Sequence, residues 1–453
     1  MQISFKDRVY SNELKNFVNK EDKENTENKE ILIVGWVQET RDFGNLKFIV
    51  LRDREGTVQI CMKKKKTPDE ILDKVKDLTK ESVVYIRGNL SINAKAPNGY
   101  EIFPAEMNII SIANVPLPLD PSDKAEKADV TANIDTRLDN RFLDIRKKDV
   151  AAIFKLRSRV IDAGRKFLSS NKFIEIHSPK IISSASEGGT ELFPIAYFDK
   201  EAFLAQSPQL YKQMLMAGGF DRVFETATYF RAESHDTTRH LNEITAFDCE
   251  MSFIDSENDV MDIIEGLMKT ILKEAKDSEE AKILNKEISI PEKFPRLSYD
   301  ECLQYLNEKN ITIEWGGDID TKCERIMGEV VKDKFGSELF FITKYPLKIK
   351  PFYTAPENFN ANDKYSRAFD LEYKGVEISS GGQRVHIYDL LAERIKRCNL
   401  NPENFKFYLD AFKYGMPPHG GFGLGIERIL MQMLDTTVRE VILFPRDRHR
   451  LTP

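Results

Sequence analysis

The sequence predicts an α+β protein in which a small β domain precedes a larger domain of antiparallel strands with flanking helices. Two observations support this prediction. Residues 1–115 contain short β-branched and aromatic runs separated by Gly, Asn and Asp turns, which is typical of a small all-β domain. Residues 147–453 combine amphipathic helical stretches with hairpin patterns, which favours antiparallel strands over a parallel doubly wound sheet.

Composition and charge narrow the class of protein. The 453 residues suffice for two or three domains, and 41% hydrophobic with 31% charged residues is ordinary for a soluble protein. No run approaches the roughly 20 apolar residues of a membrane span, and the first residues contain no signal-peptide core, so we expect a cytoplasmic protein without membrane contact. The five cysteines are scattered, which argues against a disulfide scaffold or a cysteine zinc site. The net charge of -6 argues against nonspecific coating of nucleic acid.

The first domain, residues 1–115, has the pattern of an OB-fold β-barrel. Four or five strands, among them ILIVGWVQETR and SVVYIRGNLSI, accompany one helical stretch, TPDEILDKVKDLTKE. Such barrels bind single-stranded nucleic acid by stacking bases on aromatic side chains. Phe48 is the stacking candidate and Arg41 the phosphate-binding candidate, although Phe48 would fit a core position equally well.

The second domain, residues 147–453, follows a linker. Residues 116–146 are rich in proline and charge, which is typical of a linker or hinge. The domain begins with an amphipathic helix from about Val150 and the strand FIEIHSPKI, which ends at Pro179. Residues 256–335 are mostly helical and charged, RAFDLEYKGVEISSGGQR predicts a hairpin with Gly375 at its turn, and HGGFGLGIERILMQML predicts a glycine-rich strand and turn that enter a helix.

A hairpin over residues 223–253 carries the first functional signal. A side-chain period of two places its charged residues on one face and its apolar residues on the other. The charged set is Glu225, Arg231, Glu233, Asp248 and Glu250, and the apolar set is Phe247, Cys249, Met251 and Phe253. A solvated surface hairpin is the plain interpretation of such a pattern, and a binding site is the alternative that the rest of the chain favours.

Several polar residues of the second domain indicate a reaction at phosphorus. Arg231 and Arg428 lie on elements that would face one cleft and could hold the two ends of a triphosphate. Glu377 and Ser380 offer oxygen ligands at a spacing compatible with a magnesium ion that bridges phosphates. The segment GFGLG alone is a weak phosphate-loop signal, and no GxxxxGK[ST] is present. No nucleophile stands beside a base, which fits a reaction that depends on positioning and charge stabilisation.

These residues together carry a resemblance over almost the full length. The chain resembles the class II aminoacyl-tRNA synthetases of the aspartyl, asparaginyl and lysyl subgroup, and within it the archaeal-type aspartyl branch. FIEIHSPKI with its preceding helix resembles the first class motif, FRAESHDTTRHLNEITAFDCEM the second, and GGFGLGIERIL the third. WV…F…LRDREGTVQI is similar to the anticodon-binding barrel, and LFPRDRHRLTP to the carboxyl end.

The resemblance implies that ATP activates L-aspartate, which is then transferred to the terminal adenosine of tRNA, with Mg2+ as cofactor. Arg231 and Arg428 would be the catalytic residues, on the α-phosphate and on the γ-phosphate and adenine respectively. Glu377 and Ser380 would hold the metal. The ATP-binding residues it implies are Arg231, Glu233, His240, Leu241, Glu377 and Arg428. Ile244 stands where a relative often has a Phe that stacks on adenine, so only apolar packing is expected there.

The same resemblance implies which residues form the amino acid pocket. A buried side-chain carboxylate requires cations, and Lys212 and Arg384 occupy the family positions. Glu187, Gln209 and Asp248 would hold the α-ammonium group. Arg231 and Ser380 complete the aspartate-binding set. An asparagine-specific site would not need two cations, and a lysine-specific site would need carboxylates. His177 and His386 are interpreted as structural.

The implied partners are tRNA, a second copy of the chain and an amidating enzyme. Arg41, Phe48, Gln59 and Glu101 are the anticodon candidates. Gln38 and Pro97 depart from the Trp and Lys of enzymes restricted to tRNA(Asp), so we expect a relaxed enzyme that also charges tRNA(Asn), with an amidotransferase downstream. The helix and strand that end at Pro179 belong to the family's dimer interface, so we expect a homodimer.

Two other classes are alternatives to an aspartate enzyme. One is an asparaginyl-tRNA synthetase or a synthetase paralogue on the same fold, which the amino acid that drives pyrophosphate exchange would distinguish. The other is a tRNA-binding paralogue without activity. The latter predicts a damaged site, whereas the implied catalytic and binding residues are present, namely Lys212, Arg231, Glu377, Ser380, Arg384 and Arg428.

Overall fold

The computed structural model describes residues 4–18, 30–122, 132–183, 192–232 and 241–453. The chain forms two compact units, Met1–Thr136 and Arg137–Pro453. Each unit has its own hydrophobic core, as expected for independent domains.

The first unit is a closed five-stranded barrel. Its strands are β1 (Glu30–Asp42), β2 (Leu46–Arg52), β3 (Thr57–Lys63), β4 (Val83–Ile92) and β5 (Tyr100–Ser111), in the spatial order β1-β2-β3-β5-β4. Helix α1 (Asp69–Lys74) and a 3₁₀ turn (Val75–Asp77) lie between β3 and β4, and another 3₁₀ turn (Leu14–Phe17) precedes the barrel. Alternate residues such as Ile49, Leu51 and Ile60 fill the interior. The predicted OB-fold barrel with one helix is therefore confirmed.

The second unit contains the remaining elements. Its helices are α2 (Ile134–Asp139, which spans the boundary), α3 (Arg141–Asp144), α4 (Lys148–Ser170), α5 (Gln209–Ala217), α6 (Glu257–Lys276), α7 (Glu279–Ile283), α8 (Tyr299–Glu308), α9 (Thr321–Phe335), α10 (Tyr388–Arg397), α11 (Lys406–Lys413) and α12 (Ile426–Leu434). Its 3₁₀ turns are Leu347–Ile349, Pro402–Phe405 and Val438–Glu440.

The strands of this unit form one large sheet and one small sheet. The strands are β6 (Ile174–Glu175), β7 (Ile181–Ile182), β8 (Pro194–Tyr197), β9 (Lys200–Leu204), β10 (Arg222–Phe230), β11 (Glu243–Ser252), β12 (Arg296–Ser298), β13 (Leu339–Thr343), β14 (Ala368–Tyr373), β15 (Glu377–Gln383) and β16 (His419–Gly425). The large sheet runs β12-β13-β14-β15-β16-β11-β10-β6, and β7-β9-β8 form the small one. The six central strands are antiparallel, and the edge strands β12 and β6 pair in parallel, so the α+β prediction is confirmed with a mixed sheet.

One face of the large sheet is covered by α4 and α6. The amphipathic helix predicted from Val150 is α4, and Leu156 and Val160 on its inner face are fully buried. Helix α6 begins with a capping box in which the Ser256 side chain accepts from the backbone of the first turn and the Asp259 carboxylate accepts from the backbone nitrogen of Ser256. These helices bury the apolar side of the hairpin, which leaves the opposite sheet face for the charged residues.

Several predicted boundaries differ from the structure. The strand FIEIHSPKI is reduced to β6, with β7 beyond Pro179, because only Ile174 and Glu175 pair with β10. The mostly helical region 256–335 also contains the short strand β12. The predicted linker 116–146 ends in structured residues, since the Arg141 side chain is fully buried and donates to the carbonyl oxygens of Ile442 and Leu443.

Candidate active site

The predicted hairpin is formed by β10 and β11, which pair without interruption from Arg222↔Met251 to Phe230↔Glu243. Phe247 and Cys249 point into the core as expected. Phe253 does not, because β11 ends at Ser252 and the chain turns there with φ +56°, which leaves the Phe253 side chain 73% exposed. Placing Phe253 on the apolar face was therefore wrong.

The glycine-rich segment is a strand and not a phosphate loop. β16 pairs with β11 in the register Glu250↔Gly421 and Asp248↔Gly423. A Cβ atom on Gly421 would lie 2.2 Å from Glu250 Oε2, and one on Gly423 would lie 3.2 Å from Asp248 Oδ2. The glycines thus make room for two carboxylates that lie across the neighbouring strand.

A cavity of about 350 Å³ opens on the charged face of the large sheet. It brings together Arg231 at the end of β10 and Arg428 in the first turn of α12, as the sequence predicted. Arg428 Nη1 donates to the backbone oxygen of Glu377 at 2.7 Å. The other predicted site residues on the cavity wall are Gln209, Leu241, Ile244, Asp248, Glu377, Ser380 and Arg384.

Four buried charges lie beside this cavity. Lys212 Nζ is 2.6 Å from Asp248 Oδ1 and 3.1 Å from Glu250 Oε2, and Arg384 Nε donates to Glu250 Oε1 at 3.1 Å. All four side chains are at most 5% exposed. Asp248 and Arg384 line the cavity, whereas Lys212 lies behind them, donating to the carbonyl oxygen of Cys249. We call these four residues the charge cluster.

The charge cluster is internally compensated. Burial opposes ionisation of Glu250, but Arg384 and Lys212 outweigh it and lower the pKa of Glu250. Burial likewise opposes the charge of Arg384, and Glu250 raises the pKa of Arg384 above its ordinary value. The two cations predicted for a substrate carboxylate are thus already paired with carboxylates of the chain. His419 lies next to the cluster, and burial lowers the pKa of its imidazole to about 4.

The two predicted metal ligands come together through a β-bulge. Leu371 pairs with Ser379 and Glu372 with Glu377, so Ile378 is an extra residue in β15. The bulge reverses the alternation, so that Glu377 and Ser380 both line the cavity although they are three positions apart, a spacing that would place them on opposite faces of a regular strand. Asp370 on β14 is paired with Ser380 in register, and its buried Oδ1 has no hydrogen-bond partner. These are hard oxygen donors, and they fit a magnesium ion.

Two further residues of the cavity wall were not predicted as candidate site residues. Tyr229 lines the cavity, and its hydroxyl donates to Asp248 Oδ2. Glu427, also on the wall, accepts from Arg157 Nη2 and from the backbone nitrogen of Thr245. The alternation of β10 could have placed Tyr229 on the charged face, since it is two residues from Arg231. Nothing in the sequence reveals the partner of Glu427.

A separate candidate site is the outer face of the barrel. Arg41 pairs with Phe48 in register, Val50 pairs with Gln59, and Gln59 pairs with Glu101, so the four predicted anticodon residues share one face. Gln59 Nε2 donates to Glu101 Oε2 at 2.9 Å.

The aromatic candidate on this face is not part of the barrel core. Phe48 packs edge-on against Phe43, whose ring is 68% exposed. Phe48 is not one of the described residues that fill the barrel interior. Its position therefore favours a role in base stacking over a role in the core.

The two residues predicted to set tRNA choice lie at irregular points of the barrel. Gln38 lies at a β-bulge between β1 and β2, and its buried Oε1 has no hydrogen-bond partner. Pro97 is exposed in the turn that joins β4 and β5. Glu187, Glu233 and His240 lie outside the described residues.

Comparison with protein families gives two matches. Residues 133–448 match the family described as tRNA synthetases class II (D, K and N). Residues 31–110 match the family described as OB-fold nucleic acid binding domain.

Curated relatives cover nearly the whole chain. The chain is 53% identical over 429 residues to an Aspartate--tRNA(Asp) ligase of Pyrococcus abyssi, covering 94% of this chain and 96% of the relative. It is 50% identical over 429 residues to an Aspartate--tRNA(Asp/Asn) ligase of Methanocaldococcus jannaschii, covering 94% and 95%.

Solved structures share the complete architecture. An asparaginyl-tRNA synthetase from Pyrococcus horikoshii complexed with asparaginyl-adenylate superimposes with a TM-score of 0.88 at 31% identity, covering 99% of this chain and 100% of that one. An aspartyl tRNA synthetase from Entamoeba histolytica gives a TM-score of 0.85 at 33% identity, covering 99% and 94%.

Proposed function

The chain belongs to the class II tRNA synthetases of the D, K and N group, and from this premise we propose that it is an aspartate–tRNA ligase. In the first step a carboxylate oxygen of L-aspartate attacks the α-phosphorus of ATP, which forms aspartyl-adenylate and releases pyrophosphate. In the second step a hydroxyl of the terminal adenosine of tRNA attacks the acyl carbon and releases AMP.

The observation that carries this proposal is the pair of opposite charges on one cavity wall. Asp248 offers a carboxylate for the α-ammonium group, and Arg384 offers a guanidinium for the side-chain carboxylate. Asparagine would offer Arg384 a neutral amide, which attracts a guanidinium less strongly than the carboxylate of aspartate does, and lysine would bring its ammonium group against a cation. The higher identity to aspartate ligases, 53% against 31% for the asparaginyl structure, also supports aspartate over the asparaginyl alternative.

The cavity arginines act by charge stabilisation. Arg231 holds the α-phosphate and neutralises negative charge as the carboxylate attacks in line. Arg428, fixed by the backbone of Glu377, holds the γ-phosphate at the other end of the cavity. Leu241 and Ile244 provide the apolar surface for adenine. Glu233, His240 and Glu187 have the roles that the resemblance implies, on adenine, on the phosphates and on the ammonium group.

Magnesium is the cofactor that the cavity oxygens fit. Glu377 and Ser380 hold it, with Asp370 adjacent. When bound, the ion neutralises phosphate charge and orients the triphosphate. The positioning of Glu377 relative to Arg428, at 3.5 Å between Oε1 and Nη1, keeps the metal ligand beside the phosphate-binding guanidinium.

The first unit, by this proposal, binds the anticodon. Phe48 stacks on a base, Arg41 contacts the backbone, and Gln59 with Glu101 reads a base edge. Because Nε2 of Gln59 donates to Glu101, the Oε1 of Gln59 is the atom presented to a base donor.

We place the boundary between this domain and the linker at about residue 115 and the start of the catalytic domain at about residue 147.

The tRNA specificity is relaxed in this proposal, so that tRNA(Asp) and tRNA(Asn) are both charged. Gln38 and Pro97 support it, and the curated relatives include one named for both tRNAs. Aspartate on tRNA(Asn) must then be amidated, so an amidotransferase acts downstream.

The protein acts in the cytoplasm as a homodimer. Within the described residues, no helix is both long and apolar enough to cross a membrane. Apolar side chains are exposed on the edge strand β6, with Ile174 at 47%, on β7 of the small sheet, with Ile181 at 48%, and on α3, with Phe142 at 58%. A second copy that covers them would stabilise the unit. A monomeric mass by light scattering at micromolar concentration would contradict the dimer.

The deciding experiment is aminoacylation with labelled L-aspartate on two transcripts, one with the aspartate anticodon and one with the asparagine anticodon. Charging of both is expected. Charging of the aspartate transcript alone would contradict the relaxed specificity only. Pyrophosphate exchange that responds to L-asparagine but not to L-aspartate would overturn the aspartate ligase itself.

A further inference from the structure

Tyr229 is placed in the cavity by two small residues. It is the penultimate residue of β10, and its ring packs with Ala227 and Ala246, which pair with each other in register. The two methyl groups leave room for a large ring between the strands. The side chain is 5% exposed, and it lines the cavity beside Asp248.

The hydroxyl of Tyr229 donates its hydrogen bond to Asp248. A phenol has a single proton to donate, and Tyr229 donates it to Asp248 Oδ2. Burial first, and then the negative charge of Asp248, raise the pKa of Tyr229 well above its ordinary value, so the group stays a neutral donor at working pH. The hydroxyl is therefore not offered to a phosphate, although Arg231 follows two residues later.

Asp248 lies between two opposed contacts. Its Oδ1 is 2.6 Å from Lys212 Nζ, which lies behind the cavity wall, and its Oδ2 accepts from Tyr229, which lies on the wall. Without the Tyr229 hydroxyl, only the attraction of Lys212 would orient the Asp248 carboxylate, and the carboxylate would turn away from the cavity.

We infer that Tyr229 is a positioning residue of the amino acid pocket, whose hydroxyl holds the Asp248 carboxylate in the orientation that receives the α-ammonium group of the substrate. This inference rests on the proposed function, in which Asp248 binds that group. Tyr229 acts through Asp248, and so it is a positioning residue and not a catalytic one.

The test is ATP–pyrophosphate exchange with the full-length protein carrying Tyr229→Phe, which removes only the hydroxyl. The KM for L-aspartate should rise about tenfold, because a hydrogen bond to a charged group is lost. The KM for ATP and kcat should stay within about twofold. Tyr299→Phe is the matched control, since Tyr299 is fully buried outside the cavity and donates to the carbonyl oxygen of Gly317.

The outcomes separate this inference from the proposed function. If the wild-type protein exchanges with L-aspartate and Tyr229→Phe leaves the KM for aspartate unchanged, only the inference fails. A parallel rise in both KM values, or a matching loss in Tyr299→Phe, would indicate general distortion and would also overturn it. If the wild-type protein does not respond to L-aspartate, the proposed function itself fails.

Discussion

Arg157 and Glu427 form an ion pair inside the catalytic unit, with Nη2 of Arg157 on α4 lying 2.6 Å from Oε1 of Glu427 on α12. The Glu427 side chain is 3% exposed, and its Oε2 accepts from the backbone nitrogen of Thr245. Glu427 therefore ties the first turn of α12, which carries Arg428, to α4 and to the β11 strand of the hairpin.

Arg157→Met should impair both stability and activity. It leaves the Glu427 carboxylate buried without a cation, which costs about 3 kcal/mol of unfolding free energy. The first turn of α12 loses an anchor, so kcat in pyrophosphate exchange should fall several-fold as Arg428 becomes less well placed. Urea unfolding and exchange kinetics measure the two effects. Asp162→Asn on the same helix is the control, because its pair with Lys166 is exposed and should contribute nothing measurable.

Glu250→Gln should make the protein less stable at neutral pH and change its acid response. The pKa of Glu250 is lowered in the folded protein, so its contribution to stability is present above the usual glutamate pKa of about 4.3 and is lost as pH falls through the lowered value. The stability difference between wild type and variant should therefore be largest at pH 7 and shrink in acid. Urea unfolding at several pH values measures it, and a difference independent of pH would contradict the assignment.

His419→Gln should flatten the stability of the protein between pH 6.5 and 4. Burial lowers the pKa of His419 to about 4, whereas an unfolded histidine has a pKa of about 6.5. As pH falls through this window, His419 binds a proton in the unfolded state but not in the folded state. The unfolding free energy of the wild type therefore falls by up to about 3 kcal/mol. Unfolding titrations at pH 7 and pH 4.5 test this, with the exposed His449→Gln as the control.

Phe48→Ala should impair the charging of tRNA and leave pyrophosphate exchange unchanged. Loss of one stacked base weakens tRNA binding by about 1–3 kcal/mol, so kcat/KM for tRNA should fall about tenfold or more. Pyrophosphate exchange, which needs only the second unit, should be unchanged. Phe5→Ala removes another exposed aromatic ring of the same unit, packed on Tyr85, and should leave charging intact. Equal losses in both variants would show that Phe48 has no specific role.

Glu377→Gln should raise the Mg2+ concentration needed for half-maximal exchange, because it removes a charged ligand while retaining an oxygen. An effect of about tenfold is expected for one lost charge–metal contact, by analogy with the cost of breaking a charge-assisted bond. Glu393→Gln, in a surface pair with Arg397, is the control. An unchanged Mg2+ titration in the Glu377 variant would place the metal elsewhere.

Period-two alternation was enough to predict the hairpin, its buried apolar face and the shared charged face of Asp248 and Glu250. Alternation fails where the backbone departs from a regular strand. At Phe253 the strand has ended, and at Ile378 an inserted residue shifts the register. Neither event has a local sequence signal as clear as Gly375, which was predicted at the β14–β15 turn and has a φ of +67° there.

The charge cluster and the Glu427 contacts were beyond sequence reasoning for a different reason. Lys212 and Arg384 were identified as cations, but Glu250 as their common partner depends on β16 being glycine at the facing position, Gly421. Arg157 lies 270 residues from Glu427 in the chain. Contacts across such separations are set by how helices pack on the sheet, which periodicity does not specify.

The bulge at Ile378 gives β15 a core contact that the position of the two oxygen ligands does not require. Deleting Ile378 would restore a regular ladder to β14 and β15 and would leave Glu377 two positions from Ser380, so both side chains would stay on the same sheet face. The deletion would instead remove a side chain that is 2% exposed in the core of the catalytic unit. Polar substitution at position 378 should therefore act through stability, whereas Glu377 and Ser380 should remain neighbours without the bulge.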